Sequence, residues 1–210
     1  METEATKARS PLREVLSSHR GDLFRALGMI AHIAAGFYII LVFMPTYLGL
    51  VSKIDRSQAL VVTTTGLLAY AVLCPIAGAL SDRLGRKMLL LISSAGAIFL
   101  TYPLFFMVKS GDFDSALAAE VVLSALLACS GGPIAAAVAE VAPAKVRSTI
   151  VAASFAFSIT IFGGFAPFIA TYLISTSGSP LAPAFYAMAA SLVSFVVILA
   201  AKETAFVDSD

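Results

Sequence analysis

One stretch of this sequence, Gly78-Ala79-Leu80-Ser81-Asp82-Arg83-Leu84-Gly85-Arg86-Lys87, sets a carboxylate among three cations and brackets it with glycines. Chemistry of this kind makes and breaks ion pairs. Asp82 can also accept hydrogen bonds from the orphan N–H groups of a facing helix N-terminus, where the dipole favours an anion. Gly78 lets a neighbouring helix approach closely, and Gly85 suits a tight turn. A plain basic membrane anchor would account for Arg83, Arg86 and Lys87, but not for Gly78, Asp82 and Gly85 at this spacing. A second charged stretch runs from Glu140 to Arg147 through Pro143 and Lys145. Pro143 ends one helix and Arg147 opens the next. Glu140 can pair with Arg83 or Arg86 and so join the two turns. Exposed pairs of this sort are individually modest, which suits a contact that opens and closes. The bland reading is a loop with balanced charge.

Two ionisable residues interrupt apolar sequence, and such residues inside a membrane span need a reason. His32 either lines a cavity and exchanges a proton near neutral pH or is a neutral ring hydrogen-bonded between helices. Glu120 is a proton carrier if enclosed. Its place near the outer end of a span points instead to the interface, with the carboxyl reaching toward water. Tyr38, Tyr70 and Thr160 can offer hydrogen bonds to a substrate or can simply pack. Gly131, Gly132 and Pro133, like Gly163, Gly164 and Pro167, mark hinges or close helix contacts. Cys74 and Cys129 read as small packing residues. The sequence holds no metal-ligand spacing, no nucleophile elbow and no phosphate-binding loop, so neither an enzyme nor an ATP-driven pump is expected, and no cofactor.

The elements that position these residues follow from composition. Apolar residues make up 59% of the 210-residue chain and charged residues 13%, against about 25% charged in soluble domains. Net charge is +1, which gives no pull toward nucleic acid. Charge-free stretches of about 20 residues read as membrane spans. They predict an all-α membrane protein with six transmembrane helices near 26–51, 58–81, 88–108, 115–139, 148–174 and 181–201. The last two come from one charge-free run, 148–201, divided at Ser175-Thr176-Ser177-Gly178-Ser179-Pro180. Residues 1–22 form an arm, 23–202 the bundle and 203–210 a tail. Eleven of the fourteen Lys and Arg residues fall on one side, including Lys7, Arg9, Arg13 and Lys202. By the positive-inside rule both termini are cytoplasmic. In each three-helix unit the middle helix carries Gly and Pro: Pro75 with Gly78, then Gly163 and Gly164 with Pro167. This predicts interrupted helices at matching positions, a 3+3 repeat.

The 78–87 stretch resembles the G-x-L-[AS]-D-R-x-G-R-[RK] signature of the major facilitator superfamily, at the turn where that family has it. The resemblance implies one half of a major facilitator fold, the C-terminal six helices, with this turn latching the cytoplasmic side against a companion half. Glu140 to Arg147 resembles the E-x-x-P-x-x-x-R element of the same family. Phe37-Tyr38, Met44-Pro45-Thr46-Tyr47-Leu48, Glu140 to Thr149 and Thr160 to Pro167 are similar to the metabolite–proton symporter branch. That branch includes citrate, α-ketoglutarate, shikimate and proline/betaine symporters. It implies a small organic acid or zwitterion carried with a proton across the bacterial inner membrane by alternating access. The expected partners are lipid, substrate with H⁺, and a separately encoded N-terminal half or a second copy. Ser10 to Glu14 looks like the central linker of a longer transporter. The alternative on the same residues is a non-transporting membrane partner, or an inert truncated fragment that keeps the fold.

Overall fold

The computed structural model describes residues 11–201. Lys7, Arg9, Ser10, Lys202 and the tail 203–210 lie outside the described residues. A short helix α1 (Pro11–Ser18) precedes α2 (Arg20–Val42), α3 (Arg56–Leu84), α4 (Arg86–Lys109), α5 (Phe113–Val141), α6 (Ala144–Ser177) and α7 (Ala182–Ala200). Among the described residues there is no strand. Helices α2 to α7 are six elements long and apolar enough to cross a membrane. They overrun the predicted spans: α2 starts at Arg20 and α3 runs to Leu84. Charges mark where lipid ends, whereas the helix continues until a cap or a turn residue stops it.

Those stops are local chemistry. Asp55 accepts from Ser57 N–H at 2.9 Å and caps α3. Asp112 accepts from Ser115 N–H at 2.8 Å and caps α5. Each satisfies an orphan donor of the first turn. Gly85, at φ 96°, turns the chain between α3 and α4. A side chain there would be strained.

Helix α2 is the spine. Buried residues make up 72% of its span, against 22% for α3 and 28% for α6. It packs on α7 and α6, while α5 packs on α3 and α4. With lipid outside, close van der Waals contact holds such a bundle together more than apolar burial does. The α3–α5 seam shows how. Both helices run toward the basic end, and Gly66 meets Glu120 as Gly78 meets Gly132. A Cβ on Gly132 would lie 2.6 Å from the Gly78 nitrogen, so the two backbones touch there.

Of the two interruptions that the sequence pattern set, the one at Gly163, Gly164 and Pro167 is present and the one at Pro75 is not. Helix α3 runs unbroken through Pro75, an exposed position. Membrane helices absorb the single lost backbone bond. The breaks fall in α2, α5 and α6. Wide π-type turns occupy Phe37–Val42 in α2 and Ile159–Gly164 in α6. Phe43-Met44-Pro45 follows the first and Phe165-Ala166-Pro167 the second. A proline has no N–H to return to the preceding turn, so the turn before it widens. The two wide turns pack on each other. A Cβ on Gly163 would lie 2.6 Å from Tyr38 Cδ2, so glycine makes room for that ring. In α5 the helix pauses at Gly132 and Pro133.

Candidate functional site

Three places bring the singled-out residues together: the charged end, the interior of the bundle, and a hollow between α2, α3 and α6.

At the charged end, Glu140 at the close of α5 forms an ion pair with Arg86 at the start of α4. Arg86 is one of the two partners expected for Glu140. Arg86 also reaches Asp82 at 3.5 Å, one turn back. The Asp82 side chain stays 67% exposed, so its carboxylate is open to a further partner. Lys87 donates to the carbonyls of Leu199 at 2.9 Å and Ala201 at 2.6 Å. It thereby ties the end of α7 to the same turn, where the last helical carbonyls favour a cation. Arg83 projects outward, exposed. Arg147 opens the helical run after Val146, and its Nε donates to Ala142 O at 3.4 Å. One contact had no signal in the sequence: Lys145 pairs with Glu14 of α1 at 2.7 Å, fastening the first short helix to the loop after α5.

Inside the bundle, His32 is buried and every nitrogen has a partner. Its backbone N–H donates to Ser194 Oγ at 2.8 Å, while Ser194 donates to Gly28 O at 2.7 Å. The ring nitrogens meet Ser191 Oγ at 2.8 Å and Ser93 Oγ at 2.9 Å. Ser93 gives its only proton to Leu126 O at 2.5 Å. Ser191 likewise donates to Ala187 O at 2.7 Å, so a neutral ring donates to one of the two serines and accepts from the other, whose proton then turns from its carbonyl to the ring. The node thus joins α2, α4, α5 and α7. It does not line the hollow. Sequence reading missed the serines because each lies far along the chain.

Glu120 is the opposite case. The expectation that it would reach toward water is wrong: it is 0% exposed. Face, not depth, decides this. The side chain lies over Gly66 of α3, where a Cβ would come within 2.7 Å of Glu120 Cγ and 2.9 Å of Ser124 Oγ. Neither carboxyl oxygen, nor Ser124 Oγ, makes a hydrogen bond among the described residues.

The hollow has a volume of about 260 Å³ and is lined by Phe37, Tyr38, Tyr70 and Phe155 with aliphatic neighbours. Phe37 meets Tyr38 edge-on at 6.0 Å and Tyr70 at 5.6 Å between ring centres. Sequence reading named both tyrosines and missed Phe37, which looks like any lipid-facing aromatic until Tyr70 is placed beside it. Thr160 is outside this group: it is exposed and donates to Ala156 O of its own helix at 2.8 Å. Gly131 faces Tyr70 and Cys74, whereas Gly164 has only Ile159 O nearby, 3.7 Å from an added Cβ. Gly131, Gly132 and Gly163 are therefore close-contact positions and Gly164 is not. Pro167 sits in the first turn of Ala166–Ser177. Among the described residues no three His, Cys, Asp or Glu side chains cluster as metal ligands would.

Comparison with known proteins adds two findings. The sequence profile of the Major Facilitator Superfamily matches residues 26–207. The proline/betaine transporter of Salmonella typhimurium (strain LT2) is 25% identical over 193 residues, 92% of this chain. The proline/betaine transporter of Escherichia coli (strain K12) is also 25% identical over 193 residues. The glycine betaine/proline/ectoine/pipecolic acid transporter of Dickeya dadantii is 26% identical over the same length. The chain spans 38% of the length of each of these relatives.

Proposed function

The chain belongs to the Major Facilitator Superfamily, and from that premise we propose that it forms one wall of a secondary transporter for small zwitterions of the proline and betaine kind. The protein is a multi-pass membrane transporter and not an enzyme. Substrate in such a transporter sits between two six-helix halves. In this reading the second half comes from a longer chain, a separate chain or a second copy. The membrane is the cytoplasmic one, with the basic turns inside, as the Lys and Arg distribution favours.

The observation that carries the reading is the charged end. Asp82, Arg86 and Glu140 form a linked chain, and Asp82 keeps an open carboxylate. A latch needs both: an internal frame that holds its geometry and a free group to dock on a companion helix. The pair to the exposed Asp82 contributes about 0–1 kcal/mol, weak enough to exchange for a docking partner in every cycle. Glu120 supports coupling to a proton gradient. An ionised carboxylate enclosed without a cation costs several kcal/mol. The group therefore carries its proton while enclosed and releases it only when water or a cation reaches it.

The test is uptake of labelled glycine betaine or proline by cells producing the chain with an N-terminal half and lacking other uptake systems. Uptake should appear and should collapse when the pH gradient is dissipated. Asp82→Asn should abolish it without changing the amount of protein in the membrane. No uptake in any pairing would contradict the reading, as would full uptake by Asp82→Asn.

A further inference from the structure

We propose that Phe37, Tyr38 and Tyr70 form the seat of a methylated ammonium group, the cationic end of a betaine-type zwitterion. The inference rests on the transport reading for the nature of the guest. It stands on the hollow for everything else.

Among the described residues no charged side chain lines the hollow. A compact ammonium such as a lysine head is strongly hydrated and would lose that shell for nothing here. A methylated ammonium differs. Its charge lies under a layer of methyl groups that are already apolar outside, so entering an apolar hollow sacrifices little hydration. What remains is the charge itself, and ring faces answer it through their quadrupole. Three rings surround one space. Phe37 crosses Tyr38 at 64° and Tyr70 at 73°. All three rings line the hollow, so a guest within it lies against aromatic surface.

The size agrees. At about 260 Å³, the hollow falls just below the range of about 300–1,000 Å³ typical for drug-sized ligands. It suits a small metabolite or one end of it. Its walls are fixed rather than fluid. Gly163 leaves the space that the Tyr38 ring fills, and Ile30, Ile33 and Ala34 behind it are buried. The seat also lies where a substrate is expected, about midway along the helical run from Arg20 to Ser52. Its walls include residues of α3 and α6, the two helices with the least buried spans. Glu120 sits over Gly66, one turn from Tyr70 on α3. That places the proton-carrying group of α5 against α3 one turn away from the cation seat.

The test uses the chain in lipid nanodiscs and two probes of one shape: tetramethylammonium, which is charged, and neopentyl alcohol, which is neutral. Saturation-transfer NMR reads binding of each. Tetramethylammonium should bind more tightly than the alcohol. Phe37→Leu and Tyr70→Leu should each weaken it about tenfold, and Tyr70→Phe should keep it, because the ring and not the hydroxyl is needed. Equal binding of the two probes, no binding of tetramethylammonium, or indifference to both Leu variants would overturn the seat. Uptake separates this from the transport reading. Betaine uptake that survives both Leu variants removes the seat and leaves the transporter. Ring-dependent binding of tetramethylammonium with no uptake in any pairing removes the transporter and leaves the seat.

Discussion

His32 and Glu120 are both titratable, both inside the bundle and both fully enclosed, yet the protein treats them in opposite ways. Around His32, three serines from two other helices arrange their hydroxyls so that the backbone N–H and both ring nitrogens are met. Around Glu120, a glycine clears space and neither oxygen is met among the described residues. A satisfied buried group is cement. It fixes helices in register, and its removal forfeits the bonds it made. An unsatisfied one destabilises the fold it sits in and earns its place only through something the protein does. The comparison therefore sorts two residues that look alike in the sequence into a structural node and a working group.

The largest expected effect is on the cemented side. His32→Leu removes two buried side-chain hydrogen bonds while Ser93 and Ser191 keep their bonds to Leu126 O and Ala187 O, and it should lower stability by about 2 kcal/mol, at about 1 kcal/mol per lost bond. Thermal unfolding in detergent reads it. Glu120→Leu should go the other way, raising stability by about 1 kcal/mol as an unpaired carboxyl leaves an apolar seam. If both substitutions destabilise equally, the two sites are of one kind and the contrast fails. Gly66→Ala sharpens the same point. Its methyl would crowd Glu120 Cγ at 2.7 Å, an overpacking cost of about 1–3 kcal/mol. The double variant with Glu120→Ala should recover most of that, which a double-mutant cycle measures.

The smallest effect lies outside the lipid, at the cap of α5. Hydrogen bonds from the Ser115 side chain and backbone hold the exposed Asp112 carboxyl below its ordinary pKa. A depressed folded value means that the cap's contribution is present above the unfolded pKa and fades as pH falls through the folded one. Hydrogen exchange at the Ser115 amide should therefore gain protection across that acid window in the native chain. In Asp112→Asn it should stay flat.

Much of this was readable before any coordinates. Five apolar runs, the last divided at a turn-forming cluster, give six helices because lipid tolerates few charges and every backbone group must be satisfied within its own segment. Gly85 between two charged helix ends announces its own turn. What could not be read is tertiary. The partners of His32 stand 61 and 159 positions away along the chain, and no local pattern encodes them. Glu120 was misjudged because distance from a helix end measures depth, whereas enclosure depends on which residue faces it, here Gly66. Pro75 was misjudged for a related reason: an exposed proline in a long membrane helix costs one bond and leaves the helix continuous. The residues that do widen their helices, Pro45 and Pro167, each follow a phenylalanine by two positions at a place where two wide turns pack together.

The central claim is that the enclosed carboxyl carries the coupling proton. The most direct measurement is accumulation of labelled glycine betaine in vesicles under an imposed pH gradient, comparing the native sequence with Glu120→Gln in a transport-competent pairing. The account predicts that Glu120→Gln loses gradient-driven accumulation by at least about tenfold while keeping exchange of betaine across the membrane. Accumulation by Glu120→Gln equal to that of the native protein would contradict it.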